Sequence, residues 1–176
     1  MNAIPNWYVI TGGPSSGKTT LIEALRHKGY KTTHEEARHY IDTQRINGRD
    51  IEEVRMNQLN FQHKVLNMQA QTERDLDPEK LTFLDRALPD SLAYYRYLGL
   101  TPDSKLLEIL KSARYKKIFI LELLPLHPDY ARTEDVQAQQ DIQRQLIQVY
   151  SERPDPVVMV PVMDVKSRAE FVLANL

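Results

Sequence analysis

A three-layer α/β/α domain on a parallel five-stranded sheet is the fold this 176-residue sequence predicts. Three observations carry that expectation. Short apolar runs rich in β-branched residues alternate with longer helical patterns, the signature of repeated βαβ units. A glycine-rich stretch from Gly12 to Thr19 stands between the first such run and the first helical segment. The chain has no cysteine, so disulfides, thiolate metal sites and thiol catalysis are excluded and an apolar core must hold the fold. A chain of this length buries roughly 70% of its unfolded surface, which suits a single domain spanning residues 1–176.

The elements follow in order. Trp7-Tyr8-Val9-Ile10 forms the first strand and runs straight into Thr11-Gly12-Gly13. A helix extends from about Gly17 to Lys28, with His27 and Lys28 in its last turn and Gly29 placed to close it. Tyr30 to Thr33 is a weak second strand. Asp50 to about Asp75 has helical periodicity, with Ile51, Val54, Leu59, Phe61, Val65, Leu66 and Met68 on the apolar side; Asp50 and Glu53 make a capping-box pattern. Leu81–Leu84 is the third strand, ending at Asp85-Arg86. Helices are expected over Pro89–Leu98 and Pro102–Ser112, the second with Pro102 at its first position. Ile118–Leu123 is a fourth strand, about Glu134 to Tyr150 a polar helix, Val157–Val160 a fifth strand and Ser167–Ala174 a closing helix.

Charge is balanced at 23 basic and 24 acidic residues, so no global field draws the chain to nucleic acid or anionic lipid. Lys111, Arg114, Lys116 and Lys117 read as a solvated face. The start, MNAIPNWYVITGGP, lacks the basic and long apolar regions of a signal peptide. No apolar run approaches the roughly 20 residues that span a bilayer. A cytoplasmic protein is expected. His34, His63 and His127 do not have the spacing of a metal-hydrolase site.

Gly12-Gly13-Pro14-Ser15-Ser16-Gly17-Lys18-Thr19 satisfies G-x-x-x-x-G-K-[ST], and Thr20 extends it into the helix. Its place between a strand and a helix is what the chemistry needs. Glycines let the backbone curl until successive N–H groups face phosphate oxygens, and the helix N-terminus adds its positive dipole end. Lys18 would reach the β- and γ-phosphates of ATP or GTP, and the Thr19 hydroxyl would bind Mg²⁺. Asp85, at the end of the third strand, lies beside this loop in a parallel sheet and is the second candidate for Mg²⁺, with a strand-end salt bridge as the plainer alternative. Arg86-Ala87-Leu88 follow Asp85, without the glycine a translational-type GTPase would carry. No Asn-Lys-x-Asp base-reading motif occurs, nor the Asp-Glu strand end of an unfoldase-type ATPase. Kinase-like chemistry is the class left.

The loop, Glu35-Glu36-Ala37-Arg38 and Asp85-Arg86-Ala87-Leu88-Pro89-Asp90 together resemble the NadR-type P-loop family, which includes ribosylnicotinamide kinase domains and predicted ATPases labelled as AAA domains. Arg132-Thr133-Glu134 and Ser167-Arg168-Ala169-Glu170-Phe171 add to the likeness, which runs over essentially the whole chain. The resemblance implies a nucleotide-kinase core with strand order 2-3-1-4-5 and a lid at about residues 124–135, in which Arg132 stabilises the transferring phosphoryl group. It also implies that Glu35 accepts the proton of the acceptor hydroxyl and that Arg168 lies near the nucleotide base. Arg86 joins Lys18, Glu35, Asp85 and Arg132 as a candidate catalytic residue. Arg38, Arg55, Phe61 and Gln62 are candidates for the wall of an acceptor pocket, with the core as the plainer place for Phe61.

Three functions fit. The first is a kinase passing the γ-phosphoryl group of ATP or GTP, with Mg²⁺, to a nucleoside- or nucleotide-like small molecule. The second is a nucleotide-dependent binding module for a partner protein or lipid, with little turnover. The third is a ring-forming ATPase, which the missing Asp-Glu strand end disfavours.

Overall fold

The computed structural model describes residues 3–46, 57–125 and 135–176. Its strands are β1 (Trp7–Thr11), β2 (Lys31–Thr32), β3 (Thr82–Asp85), β4 (Lys117–Leu121) and β5 (Val157–Val160). They form one parallel sheet in the order β2-β3-β1-β4-β5. The helices among the described residues are α1 (Lys18–His27), α2 (Glu36–Ile46), α3 (Gln58–Asp75), α4 (Leu88–Tyr97), α5 (Ser104–Ser112), α6 (Val136–Ser151) and α7 (Val165–Ala174). The expected sheet and its order are both present.

Strand alternation divides the core into two layers. Tyr8 and Ile10 of β1, with Phe83 and Phe119, meet Leu21, Ile22 and Leu25 of α1 and Ala169 and Val172 of α7. Val9, Leu84, Ile118 and Ile120 meet Ala93 of α4 and Ile142, Leu146 and Val149 of α6. Strands buried on both faces read as unbroken apolar runs, which is why β1 and β4 were legible. Each fully buried side chain of this kind contributes about 1.5–3 kcal/mol. A third cluster joins Leu66 and Ala70 of α3 to Leu88 and Tyr95 of α4 and Leu106 of α5. It packs α3 against α4 and α5.

Several boundaries differ from expectation. The long helix begins at Gln58, where the Asn57 side chain accepts from the Asn60 N–H; the capping pattern at Asp50 and Glu53 lies outside the described residues. Helix α5 starts at Ser104 with Asp103 as its cap, so Pro102 precedes the helix. Helix α7 starts at Val165 behind Asp164, and Ser167 lies inside its first turn. In both cases an aspartate that accepts from the backbone N–H three residues on outweighs the weaker signal next to it. Helix α2 has no counterpart in the sequence reading, which took Glu35–Arg38 as a charged segment. Among its described side chains only Glu36 and Ile41 are fully buried, too little apolar surface to announce the helix by period.

The buried carboxyl of Glu73 ties α3 to α4 and to the approach to β4. Its Oε1 accepts from Gln69 Nε2 at 2.9 Å and from the Leu88 N–H at 3.0 Å, and its Oε2 from the Tyr115 hydroxyl at 2.9 Å. Burial pushes its pKa up to about 7, overriding the three hydrogen bonds that favour the carboxylate, with Asp90 adding to the rise. Burial also pushes the Tyr115 hydroxyl well up. A carboxyl raised above its unfolded pKa of 4.5 gives stability that is fully present below that value and is lost as pH rises through about 7. Glu73→Gln keeps an acceptor for Leu88 and cannot ionise. Its melting temperature relative to the parent should therefore improve from pH 4.5 to pH 8 in thermal melts, and a difference independent of pH would contradict this account.

Candidate active site

The loop after β1 is shaped by its glycines. Gly17 has φ +84° and caps α1, and a Cβ there would meet Arg168 Nη1 at 3.0 Å and Leu124 Cδ1 at 3.1 Å. A Cβ on Gly13 would meet Leu123 Cδ2 at 2.9 Å and the Gln139 carbonyl at 3.0 Å. Ser15 also has positive φ, +56°. Lys18 is buried at 1% exposure and folds over the loop, donating to the carbonyls of Gly12 and Gly13, each at 2.8 Å, and to Ser16 Oγ at 3.2 Å. Thr19 and Thr20 are exposed at the start of α1. Pro14 turns toward a neighbouring cavity of about 410 Å³.

Arg86 is where the site's charges meet. It follows β3 with φ +66°, a left-handed backbone conformation that is uncommon outside glycine. Its Nε donates to Glu35 Oε1 at 3.0 Å, and its Nη1 to Asp90 Oδ1 at 3.1 Å and the Gly12 carbonyl at 3.3 Å. The guanidinium lies 5.4 Å from the centre of the Tyr94 ring. Burial works against its charge, but Tyr94, Glu35, Asp90 and Asp85 outweigh it and hold the pKa well above the ordinary value. Asp90, three residues beyond Ala87, accepts from Arg86, from Thr11 Oγ1 at 2.6 Å, from the Ala87 N–H at 3.1 Å and from the Tyr150 hydroxyl. It caps α4 while neutralising a buried cation.

The cavity of about 410 Å³ lies between the loop, α2, α3 and α4. Glu35, Arg38, Arg86, Phe61, Gln62 and Tyr94 are among the residues that line it. Phe61 is part-buried in the cavity wall, its ring 5.7 Å from that of Tyr40, and belongs to none of the three core clusters. A smaller hollow of about 240 Å³ brings Thr19, Glu35, Arg38, Asp42 and Asp85 together. Asp85 is buried, and its N–H donates to Thr33 Oγ1 at 2.9 Å. Arg168 is at the loop with its guanidinium among backbone carbonyls. Arg55 and Arg132, and with Arg132 most of the expected lid, lie outside the described residues. Among the described residues no group of three His, Cys, Asp or Glu side chains could hold a metal ion by itself, and no helix is long and apolar enough to cross a membrane.

Asp90, Gln69 and Tyr94 were missed as site residues. For Asp90 a signal existed: an acid three positions into a helix that follows a buried strand is placed to cap it.

A mononucleotide-type sheet with a phosphate loop after β1, an acid at the end of β3 and a cavity between them defines the P-loop nucleotide-kinase fold. The chain belongs to the family described as AAA domain, whose model matches residues 7–168. Deoxyadenosine kinase from M. mycoides with bound dATP shares the fold at a TM-score of 0.70 and 13% identity, over 96% of this chain and 97% of that one. NadR in complex with NAD and AMP-PNP superposes with a TM-score of 0.71 and 19% identity, over 97% of this chain but 49% of that one. Thymidylate kinase from Ehrlichia chaffeensis gives 0.67 and 12%, over 96% and 97%. No curated protein matches the chain by sequence.

Breaking a buried ion pair by removing one partner costs about 3–5 kcal/mol when the other charge is left alone. Asp90→Ala leaves Arg86 with Glu35 as an ion-pair partner but also removes the acceptor of Thr11, the Ala87 N–H and Tyr150, so it should lose about 3 kcal/mol in urea unfolding. Asp90→Asn, which keeps some of the hydrogen bonds, should lose less.

Proposed function

We propose that this protein is a small-molecule kinase that transfers the γ-phosphoryl group of ATP or GTP to a hydroxyl of a nucleoside- or nucleotide-like acceptor. The observation that carries the reading is the cavity beside the phosphate loop, where a carboxylate, two arginines and aromatic rings line one space. Glu35 would take the proton of the acceptor hydroxyl as its oxygen bonds to the γ-phosphorus and the bond to the β,γ-bridging oxygen breaks. Arg86, 3.0 Å from Glu35, orients that carboxylate. Lys18 would swing from the loop carbonyls to the phosphates, and the aromatic wall suits a flat base. Arg38 would face charge on the acceptor, with Gln62 and Arg55 completing the wall. Arg132 and Arg168 would act from the lid and the last helix.

The donor set fits Mg²⁺. Thr19 and Asp85 offer hard oxygen atoms in one hollow, and Mg²⁺ usually takes one or two protein ligands, leaving the rest to phosphates and water. When bound, it would neutralise charge on the β- and γ-phosphates. The family, the fold and the likeness to nucleoside and nucleotide kinases support this reading; the acceptor and the base preference are open to test.

Turnover of ATP and GTP should be measured with Mg²⁺, with and without a panel of nucleosides and nucleotides. Stimulation by one acceptor, abolished in Lys18→Ala, is the expected result. Glu35→Gln should lower kcat by about 10²–10⁴ while leaving nucleotide affinity close to that of the parent. Tight nucleotide binding without acceptor-dependent turnover would replace the kinase by a nucleotide-dependent binding module.

A further inference from the structure

A loop can aim its N–H groups at an anion only if its carbonyl oxygens point elsewhere and find donors there. In this protein each carbonyl from Gly12 to Ser16 has one. Gly12 and Gly13 accept from Lys18, and Gly12 also from Arg86. Ser15 accepts from the Leu124 N–H at 3.3 Å. The remaining two depend on side chains far away in sequence. Pro14 accepts from Gln139 Nε2 at 2.9 Å, and Ser16 from Arg168 Nη1 at 2.5 Å.

These side chains are anchored at their other ends. Gln139 Nε2 also donates to the Leu124 carbonyl at 3.0 Å. Arg168 donates through Nη2 to Glu122 at 3.1 Å and through Nε to Pro161 at 3.0 Å, so it grips the ends of β4 and β5 together with the loop. Gln143, one turn beyond Gln139 on the same face of α6, accepts from the Gly13 N–H at 2.7 Å and donates to Leu121 at 3.1 Å. All three residues are buried, at 4%, 8% and 2% exposure. A glutamine suits this task because its amide both donates and accepts without bringing a charge into the layer beneath the phosphates.

We infer that Gln139, Gln143 and Arg168 are positioning residues for triphosphate binding, which act through the phosphate loop: Gln139 and Arg168 hold the Pro14 and Ser16 carbonyls turned away from the ligand, and Gln143 ties the Gly13 N–H to the end of β4. This rests on the nucleotide-binding half of the proposed function and assigns Arg168 to the loop rather than to the base. It also gives two buried glutamines of α6 a purpose.

The test is direct binding, which needs no turnover. Affinities of the parent, Gln139→Met, Gln143→Met and Arg168→Lys for Mg·ATP, Mg·GTP and inorganic tripolyphosphate are measured by calorimetry, at a temperature where circular dichroism shows every variant folded. Melting temperatures are taken without ligand. Each variant is expected to weaken all three ligands alike, by about tenfold for the two hydrogen bonds a glutamine loses. The loss should persist well below the melting transition, where a merely structural residue would leave affinity unchanged. Unaltered affinity overturns the inference. So does a loss by Arg168→Lys confined to the nucleotides and absent for tripolyphosphate, which would put that residue on the base or sugar. If Arg168→Lys does not fold, the two glutamine variants decide the matter. A parent that binds none of the ligands overturns the inference together with the nucleotide-binding reading beneath it, whereas a binding parent without kinase turnover removes only the kinase.

Discussion

One buried guanidinium organises the functional end of this molecule. Arg86 leaves β3 in a left-handed backbone conformation, and that reversal sends its side chain back across the carboxyl edge of the sheet. There it contacts Glu35 ahead of α2, Gly12 in the phosphate loop and Asp90 in the first turn of α4. Three elements separated in the chain thereby share one charge. Buried ion pairs are poor evidence for stability, because desolvation offsets most of the Coulomb attraction. Their value here is positional: a fork of donors with fixed geometry sets the distance between the loop and the carboxylate across the cavity.

Around that centre the fold has little freedom. Asp90 is committed to the cation, to Thr11, to the α4 N-terminus and to Tyr150 of α6, whose hydroxyl is pushed well up by burial and by the nearby carboxylate. Glu73 repeats the arrangement one layer outward, joining α3, the Leu88 N–H and Tyr115. Burial is the main cause that pushes the Glu73 carboxyl up, and the charge of Asp90 adds to it.

The division between what was legible and what was hidden follows contact distance along the chain. The phosphate loop was readable because its work is done by contiguous backbone: strand, glycine turn, lysine and helix start lie within one short segment. β1, β3 and β4 were readable because burial on both faces leaves apolar runs, whereas β5, an edge strand with Val157 and Met159 exposed, was readable from its run of valines. Helix α2 was not, since it rests on Ile41, Glu36 and a hydrogen bond from Thr72 rather than on an apolar stripe. Gln139 and Gln143 stood out only as part of a polar helix, and the structure places both against the loop.

The sequence by itself determined the class of sheet, the glycine-rich loop between β1 and α1 and the acid at the end of β3. Each of these is encoded locally, by period or by spacing. Only the tertiary structure decided how they are held. Arg86 reaches Gly12 across 74 residues, Gln139 reaches Pro14 across 125, and Arg168 reaches Ser16 across 152. A polar side chain that serves a distant carbonyl leaves no periodic trace, because the residue types that can do so are the same ones that face water. Burial distinguishes them, and burial is a property of the folded chain.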